Sequence, residues 1–162
     1  MHASELEQLH AGAFGWALSC CRGDRVAAED ALQASYLKIL EGRARFDGHS
    51  SLRTWVFGVV RRTIAEQRRQ AWLRRWIPLG GLAVADGRLD PAATLARSEQ
   101  ARELTAALGR LPRRQREVLH LVFYEDLTIA AAAEVMGVGV GSARTHYERG
   151  KAALRRILGG VR

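Results

Sequence analysis

Residues 127–154 read LTIAAAAEVMGVGVGSARTHYERGKAAL, and this stretch decides how the C-terminal half of the chain folds. Apolar residues recur at helical spacing on both sides of a glycine cluster, Gly137–Gly141, which interrupts the periodicity. The pattern predicts a short helix capped by Thr128, a glycine turn, and a last helix that begins at Gly141 or Ser142. Two helices joined by a tight glycine-containing turn have the organisation of a helix-turn-helix.

The outer face of the last predicted helix carries side chains suited to DNA. Ala143, Tyr147 and Gly150 recur at steps of four and three residues and are predicted to pack inward. Arg can pair bidentately with guanine, Ser and Thr can bond bases or phosphates, and Glu can accept from cytosine. The free N–H groups at the start of the helix favour a phosphate. The predicted DNA contacts are Ser142, Arg144, Thr145, Glu148 and Arg149. The alternative is a terminal amphipathic helix with a solvated basic face.

The N-terminal half is predicted to form three helices, over about 4–22, over 26–41, and from Ser50 or Ser51 to Arg75. The third helix carries six arginines between positions 61 and 75 against one acid, with aromatic residues interleaved upstream. Bases stack on aromatic rings while guanidinium groups hold phosphates, so this mixture suits single-stranded or partly opened nucleic acid. The alternative is that Trp55 belongs to the core and that the arginines are only solvated.

A change of composition separates the two halves. Residues 77–90, IPLGGLAVADGRLD, contain proline and glycines but no helical stripe, and they predict a linker. Asp90-Pro91 then resembles a helix start, and helices over 91–108 and 112–124 lead to the helix-turn-helix. The sequence therefore predicts an all-α protein with two small helical domains, 1–76 and 91–162, joined by a flexible linker, 77–90.

Composition narrows the class of partner. The 162 residues carry a net charge of +8 with a pI near 10.6. Lys and Arg outnumber Asp and Glu over 1–77 and 108–162, whereas 78–107 is nearly neutral. This balance favours a polyanion, nucleic acid before an anionic membrane surface. No apolar run reaches the length of a membrane span, and MHASELEQLH lacks the features of a signal peptide, so we expect a cytoplasmic protein.

Catalytic and metal-binding patterns are missing from the sequence. It has no paired carboxylates in a cleft pattern, no nucleophile–base set and no phosphate loop, so we expect neither an enzyme nor a cofactor. The five histidines show no ligand spacing with each other or with Cys20 and Cys21, so no metal site is predicted. The two cysteines are predicted to be partly buried helix thiols, with a redox or metal role as the alternative.

Two long stretches resemble conserved regions of bacterial sigma-70-family factors. Residues 25–40, RVAAEDALQASYLKIL, followed by 45–69, RFDGHSSLRTWVFGVVRRTIAEQRR, resemble the second region. Residues 108–158, LGRLPRRQREVLHLVFYEDLTIAAAAEVMGVGVGSARTHYERGKAALRRIL, resemble the fourth. With only these two regions and a short linker, the chain resembles the extracytoplasmic-function (group IV) class, the smallest sigma factors.

The resemblance implies a role for each region. Asp30, Gln33 and Tyr36 match a pattern in the family's docking helix for core RNA polymerase, which is contacted at its clamp helices and flap. The last helix matches the reader of the −35 element. The part that melts and reads the −10 element corresponds to His49, Ser50, Arg53, Trp55, Arg61, Arg62 and Arg69. Where the family often has an asparagine that holds an unstacked base, this chain has Arg62.

The implied function is promoter recognition: a sigma factor that binds core RNA polymerase and directs promoter-specific initiation without a small-molecule substrate. The resemblance also implies an anti-sigma partner that could hold the cytoplasmic protein at the membrane. Two alternatives belong to other classes. A stand-alone helix-turn-helix regulator would leave the 26–69 motifs unused, and a sigma-like decoy would bind an anti-sigma protein but not DNA.

Overall fold

The computed structural model describes residues 3–76 and 98–160, and the chain divides into two compact units, Met1–Leu89 and Asp90–Arg162. The described residues form seven helices and no strand, which confirms the all-α prediction. The predicted linker, 77–90, and residues 91–97 lie outside them. The helices are α1 Ala3–Cys20, α2 Arg25–Leu40, α3 Leu52–Trp76, α4 Glu99–Gly109, α5 Arg113–Phe123, α6 Ile129–Met136 and α7 Val140–Gly159.

In the first unit α1, α2 and α3 all pack against one another around a buried aromatic pair. The Trp16 and Phe57 rings are stacked with their centroids 6.3 Å apart, and neither side chain is exposed. The Trp16 indole N–H donates to the Phe57 carbonyl oxygen at 3.0 Å, so the polar end of the ring is satisfied inside the core. Val56 and Val60 complete the buried face of α3.

Polar contacts fix α3 against its two neighbours. The Arg68 guanidinium donates to the Cys20 carbonyl oxygen at the end of α1. Lys38 on α2 pairs with Glu66 and donates to the Thr63 hydroxyl at 3.3 Å. These contacts extend beyond the apolar core, so they hold the C-terminal half of α3 in place.

In the second unit α5 packs on α6 and α7, and α4 packs on α7. Leu119, Met136 and Ala143 are buried where α5, α6 and α7 meet. A Cβ atom placed on Gly150 would lie 3.1 Å from Leu119 Cδ1 and 3.2 Å from Gln115 Cβ. The absence of a side chain at Gly150 therefore permits the close approach of α7 to α5.

Two of the predicted helix boundaries need correction, and a third lies outside the described residues. The first helix ends at Cys20 and not at 22, because Arg22 and Gly23 adopt positive φ values of 54° and 83° and reverse the chain. The predicted start of the fourth helix at 91 lies outside the described residues; within them the helix begins at Glu99, where the Ser98 hydroxyl accepts from the Ala101 N–H. The last helix begins at Val140, so the turn over 137–141 was predicted too long.

Candidate nucleic-acid interface

Hydrogen bonds define both the start of α6 and the turn that joins α6 to α7. The Thr128 hydroxyl accepts from the Ala131 N–H at 3.1 Å and caps α6, as predicted. Gly137 ends that helix with a φ of 64°, the left-handed conformation that glycine adopts without a Cβ penalty. The Gly137 and Val138 N–H groups bond back to the carbonyls of Glu134 and Ala133 at 3.1 and 3.0 Å. This Schellman motif completes the turn by Val138, so α7 can start two residues later.

The start of α7 is open to solvent. Gly139 is the N-cap and offers no side-chain bond. The first intrahelical acceptor is the Gly139 carbonyl, which takes the Ala143 N–H at 3.0 Å. The N–H groups of Val140, Gly141 and Ser142 therefore have no partner from the helix itself. These free N–H groups and the partial positive charge of the helix start together favour the binding of an anion.

The five predicted −35 residues are all exposed on α7, while Ala143 and Gly150 on the opposite face are buried. The Thr145 hydroxyl donates to the Gly141 carbonyl at 3.0 Å, so its oxygen remains able to accept a hydrogen bond. Glu148 pairs with Lys151 at 3.2 Å. Arg144 and Arg149 make no hydrogen bond or ion pair among residues 98–160, so their guanidinium groups are free to bind.

In the first unit the predicted −10 residues begin just before α3. The Ser51 hydroxyl accepts from the Thr54 N–H at 3.1 Å, so Ser51 and not Ser50 caps the helix. Ser50 is half-buried, and His49 is almost fully exposed with its N–H donated to Asp47 Oδ1 at 3.1 Å. Both predicted residues therefore lie in the turn that leads into the helix.

Trp55 lies in the first turn of α3 and is half-buried. Its ring faces Phe46 from the preceding loop, with centroids 5.4 Å apart and planes at 55°. Phe46 is itself exposed and was missed by the sequence reasoning. The available signal was an aromatic residue in RFDGHSS, directly upstream of an aromatic helix start. The half-buried Trp55 ring and the exposed Phe46 ring form an aromatic pair on which an unstacked base could stack.

The predicted arginines divide between two faces of α3. Arg62 and Arg69 follow Trp55 at steps of seven and are exposed, with no hydrogen bond or ion pair among residues 3–76. Arg53 and Arg61 are half-buried on either side of Phe57 along the helix, and the Arg53 guanidinium lies 5.4 Å from the Phe57 ring centroid. The structure therefore brings Trp55, Arg62 and Arg69 together on one outward stripe and places Arg53 and Arg61 at the edge of the core.

The predicted docking residues lie on the exposed side of α2. Asp30 and Gln33 are exposed, whereas Tyr36 is half-buried and its hydroxyl lies 3.3 Å from His10 Nδ1 on α1. Burial raises the pKa of the Tyr36 hydroxyl above its ordinary value. The sequence reasoning missed three exposed apolar side chains that share the stripe of Asp30 and Gln33. They are Val26, Leu37 and Leu40, which are 69%, 53% and 57% exposed.

The cysteines form neither a disulfide nor part of a metal site among the described residues. Cys20 is buried, and burial raises the pKa of the Cys21 thiol above its ordinary value, an effect that the nearby Arg68 partly offsets. A raised pKa keeps the thiol protonated and unreactive. Within 3–76 and 98–160 no helix is long and apolar enough to cross a membrane.

Comparison with known proteins matches both units. The family model of Sigma-70 region 2 matches residues 6–76, and that of Sigma-70, region 4 matches residues 101–154. The chain is 30% identical over 141 residues to the ECF RNA polymerase sigma factor SigX of Bacillus subtilis, covering 83% of this chain and 72% of SigX. It is 30% identical over 139 residues to the ECF RNA polymerase sigma factor SigC of Mycobacterium tuberculosis, covering 86% and 74%.

A solved structure shares the fold. The sigma factor RpoE of Bartonella quintana, crystallised in complex with the anti-sigma factor NepR, matches with a TM-score of 0.74 and 21% sequence identity. The match covers 98% of this chain and 97% of that one.

Proposed function

Because this chain belongs to the sigma-70 family and is an extracytoplasmic-function sigma factor, we propose that its two units divide the recognition of one promoter. As a sigma factor it directs promoter-specific transcription by RNA polymerase. In the proposed division the second unit reads the −35 element, the first unit melts and reads the −10 element, and α2 binds core polymerase. The protein is an initiation factor, and the chemistry of RNA synthesis belongs to the polymerase.

The observation that carries the proposal is the free surface at the start of α7. Arg144 and Arg149 are exposed and make no hydrogen bond or ion pair among residues 98–160, and Arg144 lies one helical turn after the start of α7, which has no side-chain cap. In a helix-turn-helix the N-terminal residues of the second helix contact base edges in the major groove. The open N–H groups bind a phosphate, which fixes the register, and the two arginines then reach guanine edges or neighbouring phosphates.

The −10 function is supported by the aromatic pair and the arginine stripe of α3. Trp55 and Phe46 supply a stacking surface beside Arg62 and Arg69, which are free to bind phosphates. Opening DNA exposes unstacked bases and keeps the backbone charge nearby, so a surface that offers both kinds of contact stabilises the open form.

The docking function is supported by the mixed character of the α2 stripe. Asp30 and Gln33 provide specific polar contacts, and Val26, Leu37 and Leu40 surround them with exposed apolar surface. Exposed apolar side chains that recur at helical spacing are the usual anchors of a helix that packs against a partner helix. Core polymerase offers such helices in its clamp.

An anti-sigma protein is a second proposed partner. The structurally similar RpoE was crystallised with the anti-sigma factor NepR. The apolar α2 stripe would be exposed to solvent whenever this chain is not bound to polymerase, and an anti-sigma protein that covers it would compete with polymerase for the same surface. Such a competitor would hold the protein inactive, at a membrane if it is anchored there.

Reconstituted transcription tests the proposal. Core RNA polymerase is mixed with this protein and a random double-stranded DNA library, and transcribed fragments are selected. We expect fragments with two shared elements, and loss of transcription with the double variant Asp30→Ala/Gln33→Ala. Glu41→Ala, directly after the same helix, is the control, because within residues 3–76 the Glu41 side chain pairs with Arg43 alone.

Two results would overturn the proposal. Tight DNA binding without any stimulation of polymerase would favour a stand-alone regulator. Failure to bind either polymerase or DNA would favour a decoy of an anti-sigma protein.

A further inference from the structure

The outward stripe of α3 continues past the −10 residues to the end of the helix. Trp55, Arg62, Arg69 and Trp76 follow one another at steps of seven, which is close to two helical turns. Around Trp76, which is 73% exposed, lie Trp72 and Leu73, which are 58% and 48% exposed. The Trp72 and Trp76 rings are 5.8 Å apart. We call Trp72, Leu73 and Trp76 the α3 end patch.

The surroundings of the α3 end patch are cationic. Arg69, Arg74 and Arg75 are exposed and make no ion pair or hydrogen bond among residues 3–76. The acid nearest in sequence, Glu66, is already paired with Lys38. A partner that fits this surface is therefore anionic and also offers flat apolar area against which indole rings can pack.

Geometry favours DNA over a membrane. Trp76 lies 14 residues after Arg62, which is about 21 Å along the helix axis, and about 21 Å corresponds to roughly six base pairs of duplex. The α3 end patch thus continues the stripe that is proposed to hold the −10 element. An amphipathic helix that lies in a membrane surface needs an apolar face along much of its length, whereas here the exposed apolar face extends over little more than one turn.

We propose that the α3 end patch binds paired promoter DNA upstream of the opened −10 segment, an inference that rests on the proposed function. The Trp55 end of the stripe holds opened bases, so the opposite end meets DNA that is still paired, on the side towards the −35 element. The Trp72 and Trp76 rings pack on deoxyribose, their indole N–H groups donate to phosphate oxygens, and Arg74 and Arg75 neutralise phosphates. Such contacts hold the DNA in position but read no bases.

Footprinting of the holoenzyme tests the proposal. Core polymerase with wild-type protein, Trp72→Ala/Trp76→Ala or the exposed-site control Gln70→Ala is bound to a promoter recovered from the random library. We expect the double variant to lose hydroxyl-radical protection over about two base pairs of paired DNA upstream of the −10 element, since Trp72 and Trp76 are about 6 Å apart along the helix axis. We also expect a roughly tenfold loss of promoter affinity, because two hydrogen bonds to charged phosphates are removed. Permanganate reactivity of opened thymines in the bound complex, and affinity for core polymerase, should stay at the wild-type level.

Arginine variants separate the charge of this surface from its apolar contacts. Arg74→Ala/Arg75→Ala should reduce the slope of log affinity against log salt concentration by the amount expected for about two lost phosphate contacts. Trp72→Ala/Trp76→Ala should leave that slope unchanged. Equal salt slopes for wild type and the arginine variant would remove the phosphate contacts from the proposal.

Three outcomes would overturn the assignment to DNA. An unchanged footprint and affinity with the double tryptophan variant would show that the patch does not touch DNA. Weaker binding to core polymerase would assign the patch to a protein contact. Loss of binding to phosphatidylglycerol vesicles, with an intact footprint, would assign it to a membrane. If wild-type protein supports no transcription from any library member, the proposed function itself fails, and this inference with it.

Discussion

The helices α3 and α7 both present unpaired arginines to solvent, but they arrange them differently. On α7 the predicted contacts lie between Ser142 and Arg149, about 10 Å of helix, directly after an uncapped start. On α3 the stripe from Trp55 to Arg69 covers about 21 Å and includes aromatic rings, and the helix start is capped by Ser51. The short cluster near the start of α7 fits within the width of a DNA major groove. The longer α3 stripe, with both rings and arginines, fits a nucleic-acid strand that runs along the helix.

The two units also support these surfaces by different means. The first unit is built on large aromatic side chains, and Trp16 and Phe57 join α1 to α3 by stacking and by a hydrogen bond. The second unit relies on small residues, Ala143 and Gly150, that let α7 approach α6 and α5 closely. A smaller side chain in the core of the first unit should therefore disturb the α3 stripe. A larger side chain between α7 and its neighbours should disturb the position of α7.

Trp16→Ala is expected to have the largest effect and to act on the first unit. Loss of a buried tryptophan costs about 3–5 kcal/mol of unfolding free energy, and the Phe57 carbonyl also loses its indole donor. All four tryptophans precede residue 77, so tryptophan fluorescence reports on the first unit alone. Urea unfolding followed by the remaining tryptophans should shift to much lower denaturant.

The exposed tryptophan provides the matched control for this experiment. Trp76→Ala removes the same side chain from a position that is 73% exposed, so its unfolding midpoint should stay near that of the wild type. Similar losses for the two variants would contradict the assignment of Trp16 as the centre of the core.

Gly150→Ala is expected to have the next largest effect and to act on the second unit. The added methyl group would lie 3.1 Å from Leu119 Cδ1 and 3.2 Å from Gln115 Cβ, and overpacking of this kind costs about 1–3 kcal/mol. Circular dichroism should show the loss, while tryptophan fluorescence should report an unchanged first unit. Gly141→Ala, where a Cβ would meet no atom within 4 Å, is the control. A destabilisation at position 141 as large as that at 150 would argue against close helix approach as the cause.

The sequence predicted elements well where local rules decide them. The all-α fold and the short helix capped by Thr128 are confirmed, because hydrophobic periodicity and capping chemistry act over a few residues. The family was identified from the same stretches together with 25–69, and the comparisons confirm it. The start of α7 was misplaced because glycine was taken to end the turn, whereas the Schellman motif closes it at Val138.

Side-chain partners could not be predicted because they depend on contacts between distant parts of the chain. The four-residue spacing of Arg53, Phe57 and Arg61 puts them on one face of the helix. Nothing in the sequence indicates that Arg68 reaches the Cys20 carbonyl, or that Arg53 and Arg61 lie at the edge of the core. Phe46 was missed for the same reason, since its importance comes from the Trp55 ring beside it. The assignment of individual residues to the −10, −35 and docking surfaces stays a prediction.

Arg144→Ala sharpens the comparison between groove reading and strand binding. If Arg144 pairs with a base, its loss should cost about 1–3 kcal/mol of binding and relax the preference at one −35 position. Selection from the random promoter library with wild-type and variant holoenzyme measures both effects. Arg155→Ala, an exposed arginine later on the same helix, should leave the preference unchanged. A uniform loss of affinity for every sequence would reassign Arg144 to a phosphate.

Tyr36→Phe is expected to have the smallest effect, and it tests the contact between α1 and α2 in the first unit. Burial raises the pKa of the Tyr36 hydroxyl, so the folded state holds this proton more tightly than the unfolded chain. The resulting stability is fully present below the unfolded pKa, near 10, and is lost as pH rises through the higher folded value. Tyr36→Phe should therefore weaken the alkaline loss of stability between about pH 9 and 11. Tyr124→Phe, on an exposed ring in the second unit, should leave that loss unchanged. An alkaline slope in Tyr36→Phe equal to that of the wild type would show that Tyr36 is as solvated in the folded protein as in the unfolded chain, and that α1 does not cover it.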